Sequence, residues 1–73
     1  MLMIRYFPKD IYSKAVLQKA MEAYMSFGSW KLSEDERNYI ITLSQSIYDP
    51  QLTLEEFENY CIGLENQRSF SHV

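Results

Sequence analysis

Between Ser13 and Gly28 the apolar residues Val16, Leu17, Ala20, Met21, Ala23, Tyr24 and Phe27 recur at three- and four-residue spacing. Lys14, Gln18, Lys19, Glu22 and Ser26 fill the other side. That is the period of one helical face, and it predicts an amphipathic helix of about four turns. Ser13 stands at the N-cap, where its hydroxyl can accept from a free amide of the first turn. Gly28 stands where a left-handed C-terminal cap belongs. In a chain of 73 residues such a helix has few partners to choose from, and the flanking segments supply them.

Residues 2–7, Leu-Met-Ile-Arg-Tyr-Phe, are rich in strand formers, and Pro8 cannot donate to a ladder, so it ends them. Ser29-Trp30-Lys31-Leu32-Ser33 and Tyr39-Ile40-Ile41-Thr42-Leu43-Ser44 alternate in polarity around the polar loop Glu34-Asp35-Glu36-Arg37-Asn38. Two such runs predict an antiparallel hairpin. Trp30, Leu32, Tyr39, Ile41 and Leu43 then face the core, and Ile40 points to the other side of the sheet.

After a linker over 45–52 carrying the turn signal Asp49-Pro50, Thr53-Leu54-Glu55-Glu56 matches a capping box. Thr53 is the expected N-cap of a second helix, with Leu52 and Phe57 as its hydrophobic staple. Leu54, Phe57, Cys61 and Leu64 form its apolar stripe, widened by Tyr60. Gly63 weakens the helix by up to about 1 kcal/mol relative to alanine, so fraying is expected from Asn66. Residues 1–68 are read as one domain and 69–73 as a flexible tail.

The order strand, helix, strand, strand, helix predicts an α+β fold, a two-layer β-α-β-β-α sandwich. A crossover through the first helix makes strands one and two parallel, and the hairpin places strand three between them, in the order 1-3-2. Both helices lie on one face, as in a ferredoxin-like fold lacking its last strand. One face of the sheet lacks helix cover, and two unpaired edges invite strand addition, by a second copy or by a peptide.

Seven Lys and Arg against ten Asp and Glu give a net charge of −3. The cations Arg5, Lys9, Lys14, Lys19, Lys31, Arg37 and Arg68 are scattered, which argues against nucleic acid or an anionic membrane as partner. A single cysteine cannot form an internal disulfide and fits a reducing cytoplasm. The apolar run from Met1 to Ile4 is too short for a signal peptide or a membrane span.

Chemistry-bearing residues are few. His72, near Ser69 and Ser71, sits in the expected tail, which offers no rigid triad. Cys61 lies on an apolar stripe near Glu58 and Glu65, a setting for a packed thiol rather than a reactive one. Glu34-Asp35-Glu36 lacks the ligand spacing of a calcium loop. Glu55, Glu56 and Glu58 read as a face complementing the helix dipole. These residues predict no catalytic, metal or cofactor site, and hence not an enzyme. Ile40, Tyr48, Ile62 and Met25 lack a core place and are the candidate partner contacts.

Ile11-Tyr12-Ser13, Lys19-Ala20, the run Trp30 to Ser33, the acidic loop, Tyr39-Ile40-Ile41-Thr42-Leu43, and Glu56-Phe57-Glu58-Asn59-Tyr60 with Arg68 together make one pattern. It resembles the small accessory protein of the His-Xaa-Ser system, a bacterial cassette with radical SAM enzymes, from about Phe7 to Arg68. That family continues past the arginine, so the expectation is a divergent or shortened relative. The resemblance implies a non-catalytic companion of peptide-modifying enzymes and carries over no catalytic residue. The sequence thus predicts an accessory or binding module for a protein or peptide partner; the alternative is a structural protein that forms a homodimer through an edge strand.

Overall fold

A computed structural model describes residues 2–70, with side chains through residue 67. Strand β1 is Met3–Pro8, helix α1 Lys14–Ala23, strand β2 Ser29–Glu34, strand β3 Asn38–Ser44 and helix α2 Pro50–Phe70. The sheet has three strands in the order β1-β3-β2, both outer strands antiparallel to β3. This is the expected α+β arrangement.

The register explains the core. Directly paired residues share a face, so Met3, Leu43 and Trp30 form one row, and Arg5, Ile41 and Leu32 the next. Under the helices Phe7, Val16, Leu17, Ala20, Ile41, Leu43, Leu54, Phe57 and Cys61 are almost wholly excluded from solvent. Trp30 stacks on Phe57 with ring centroids 4.6 Å apart, and its indole N–H donates to the Tyr24 carbonyl at 2.7 Å. Ile40 lies on the other face, opposite Tyr6 and Ser33, as the alternation requires.

Helix α1 starts as expected. The Ser13 hydroxyl accepts from the Val16 N–H at 3.2 Å. Its end differs from the expectation: regular turns stop at Ala23, and Met25–Phe27 form a tighter 3-10 turn. The Tyr24 carbonyl explains the stop, since it accepts both the Trp30 indole and the Phe27 N–H at 3.0 Å. Gly28 is extended (φ 165°, ψ −164°), not a left-handed cap. A β-carbon there would stand 2.9 Å from Leu43 Cδ1 and 3.0 Å from Ser46 Cα, so this glycine permits the close approach of β2's start to β3's end.

Helix α2 also begins elsewhere than the capping box suggests. Proline is favoured at the first helical position, and Pro50 takes it. Asp49 is the N-cap residue, its carbonyl accepting from Thr53 N–H at 3.0 Å. Thr53 is therefore inside the helix and 2% exposed, its hydroxyl donating to the same carbonyl at 2.9 Å. Leu52 faces solvent, so no staple forms with Phe57. The helix does not fray at Asn66 but continues to Phe70, passing Gly63, where an added β-carbon would meet open space. Of the expected tail, residues 71–73 with His72 lie outside the described residues.

Candidate interaction surface

Two acidic residues of α2 act as fasteners. Glu58 Oε1 accepts from Arg5 Nη1 at 2.7 Å, tying α2 to β1. Glu65 Oε1 accepts from the Ser13 N–H and hydroxyl, both at 3.1 Å, tying α2 to the start of α1. At the hairpin, Glu34 pairs with Lys9 at 2.7 Å and Lys14 at 3.7 Å, and Lys9 also sits 5.2 Å from the Tyr39 ring centre. The Lys9 ammonium bonded to Glu34 holds that carboxyl below its ordinary value. Asp35 accepts from the Arg37 and Asn38 amides at 2.8 and 2.7 Å, which close the turn and hold its carboxyl low too. Glu34 and Asp35 of the acidic loop are thus committed to the fold's own contacts.

Cys61 is fully buried, and burial first, then Glu58 and Glu65, pushes its thiol up to about 12. Among the described residues no three His, Cys, Asp or Glu converge as a metal site would need.

What stands open is the sheet face away from the helices. Ile4 and Tyr6 of β1 are 53% and 58% exposed there, with Leu2 just before the strand at 61%. Half-buried Ile40 adjoins them opposite Tyr6, and Thr42 opposite Ile4. Across the sheet the same face carries Ser29, Lys31 and Ser33. The face is apolar along β1 and polar along β2.

Backbone direction makes β1 distinctive again. The Lys9 N–H donates to Arg37 O at 2.9 Å, so Lys9 turns its backbone groups toward β3. Strand residues alternate, so Phe7, Arg5 and Met3 do likewise, and Tyr6, Ile4 and Leu2 turn theirs to the free edge. Pro8 is the next residue on that edge; it lacks an N–H, and its carbonyl accepts from Ile11 and Tyr12.

The structure does not gather the four candidate contacts of the sequence into one patch. Ile40 lies on the open face. Tyr48 packs on Phe27, centroids 5.4 Å apart, in a chain of rings running through Tyr24 to Phe57 on the helix side. Met25 is 71% exposed in the 3-10 turn, beside a shallow hollow with Gln18, Met21 and Glu22. Ile62 is exposed on α2. Sequence reasoning missed Leu2, Ile4 and Tyr6. The signal was there: in a strand alternating Met3-Arg5-Phe7 with Leu2-Ile4-Tyr6, only one set can face the helices.

Among the described residues no helix is long and apolar enough to cross a membrane. No protein-family model, curated protein or solved structure matches the chain.

Proposed function

We propose that this chain is a non-catalytic accessory or binding module that meets a protein or peptide partner through the open side of its sheet. One observation carries the reading: the apolar row Leu2, Ile4 and Tyr6 beside Ile40, on the face that neither α1 nor α2 covers. Exposed apolar surface that is continuous, unlike scattered single residues, marks contact sites. The free edge of β1 beside it offers backbone bonds to an extended segment. The resemblance to the His-Xaa-Ser accessory protein supports a cytoplasmic role beside radical SAM peptide-modifying enzymes.

A photo-crosslinking residue placed at Tyr6 in living cells tests this, with the same residue at Glu22 on the exposed side of α1 as reference. Adducts from position 6 alone are expected. Equal yields from both positions, or none from either, would remove the reading. An adduct with the mass of a radical SAM enzyme or its precursor peptide supports the peptide-maturation role. A chromosomal locus lacking both sinks that role.

A further inference from the structure

We infer that the open edge of β1 is built to pair with the β1 edge of a second copy of this chain, antiparallel, with Ile4 opposite Ile4 on a two-fold axis. The inference rests on the reading of the open side of the sheet as a contact surface and names its occupant.

The two edges of the sheet are protected differently. Natural edge strands are blunted by charges, especially lysine, or by proline. On β2 the outward residues are Ser29, Lys31 and Ser33, so that edge carries a lysine at its centre. On β1 the outward residues are Leu2, Ile4 and Tyr6. The one charge of that strand, Arg5, lies on the helix side and is held by Glu58 at 2.7 Å.

Self-pairing is also selective in register. The edge residues Leu2, Ile4 and Tyr6 offer both an N–H and a C=O. With Ile4 on the axis, Leu2 of each copy faces Tyr6 of the other, and every such group finds a partner. Arg5 then lies opposite Met3, and Pro8 falls just beyond the ladder, where its missing N–H costs nothing. Sliding one copy by two residues puts Arg5 against Arg5, a destabilising like-charge pair, and Pro8 against Leu2, which loses a bond. Sliding the other way sets Met3 on the axis and leaves Tyr6 outside the ladder, so the register with Ile4 on the axis pairs the most edge groups. The result is a six-stranded sheet with the order 2-3-1-1-3-2. The paired stretch spans about 17 Å, and its buried area falls in the class below about 1,200 Å² in total that reversible complexes occupy, so a micromolar dimer is expected.

Sedimentation equilibrium of the full chain from low micromolar to near-millimolar concentration reads this directly. The wild type should move from the mass of one chain toward that of two. Ile4→Lys, which sets two ammonium groups face to face, should stay at one, with far-ultraviolet circular dichroism confirming its fold. A second readout does not depend on that variant. In an antiparallel hydrogen-bonded pair the Cα atoms are about 5.5 Å apart, inside the roughly 4.4–6.8 Å span of a disulfide. Mild oxidation should therefore link Ile4→Cys into covalent dimers far faster than Lys31→Cys on the β2 edge, while buried Cys61 stays silent. A wild type of single mass at every concentration, or equal linking at both edges, overturns the second copy. If that single-mass protein still gives a heavier adduct from position 6, the binding module stands without it. Adducts only between copies would do the reverse, leaving the dimer and removing the separate partner.

Discussion

The two faces of this sheet are made from neighbouring residues of the same strands, yet they have opposite chemistry. On the covered face Ile41 and Leu43 are shut off from water beneath Leu17, Leu54 and Phe57. One residue along, on the bare face, Ile4 and Tyr6 stand more than half exposed. Arg5 sharpens the contrast, because this charged side chain sits on the covered side while the apolar Ile4 and Tyr6 sit on the bare one. Its guanidinium reaches Glu58 at the margin of α2, so the charge stays partly in water while its neighbours Met3 and Phe7 pack inward. Stability therefore belongs to one face, and the other is left free for contact.

Truncation should break the molecule on one face and barely disturb it on the other. Phe57→Ala removes the ring against which Phe7, Tyr24 and Trp30 pack and should cost about 3–5 kcal/mol, enough to unfold a domain this small. Tyr6→Ser should leave the monomer's unfolding free energy, measured in urea, within about 0.5 kcal/mol of wild type, since surface changes rarely exceed that. Similar losses for the two would erase the distinction between the faces.

The next largest effect is on pH. Cys61 has a folded-state value of about 12, raised above the ordinary thiol value near 8.5. A raised value means its contribution is fully present below about pH 8.5 and is lost as pH climbs toward 12, because the unfolded chain releases the proton first. Urea unfolding should show stability falling through that window, and Cys61→Ala should flatten the fall. An unchanged slope would mean the thiol is less enclosed than its covered-face position implies.

Thr53 offers a smaller and sharper test. Thr53→Ala should cost about 1 kcal/mol through a lost buried hydrogen bond and methyl group. Were Thr53 an N-cap, serine would replace it well and valine badly. Inside the helix the ranking reverses: Thr53→Val keeps the packing and leaves the Asp49 carbonyl its Thr53 N–H partner, so it should be milder than Thr53→Ser. Thermal melts of the two variants decide it. At the small end, Gln45 follows β3 with φ 53°, the left-handed region, and its amide accepts from the Ser29 hydroxyl at 3.0 Å. Gln45→Gly should be neutral to stabilising by about 0.5 kcal/mol, as relief of backbone strain outweighs one exposed hydrogen bond. A clear loss would show that bond to matter more than the strain.

Much of this architecture was legible because hydrophobic periodicity is a local signal. The stripes of both helices, the alternation of β2 and β3 and the position of Ile40 all follow from spacing alone. The end of α1 did not, because it depends on the Trp30 indole taking the Tyr24 carbonyl, a contact made only when β2 folds back. Two start signals competed at α2, and Asp49-Pro50 prevailed over Thr53-Leu54-Glu55-Glu56, leaving Thr53 buried one turn inside with its hydroxyl on the Asp49 carbonyl. The contact surface was the least legible. Tyr48 and Met25 looked unplaced but lie on the helix side, among Phe27 and Met21. Leu2, Ile4 and Tyr6 looked like ordinary strand residues until Arg5 was seen to turn toward Glu58.

The central place of β3 has a consequence in time. Its pairing with β2 closes across a short turn held by Asp35, an event of about 1–10 μs for a hairpin. Its pairing with β1 must bridge roughly thirty residues between Phe7 and Tyr39, and a longer loop makes a slower, costlier closure. By loop length β1 is therefore expected to dock last. Until it arrives, the β3 edge that receives Phe7 is bare, so the same strand that leaves an edge open in the finished sheet shields another one during folding.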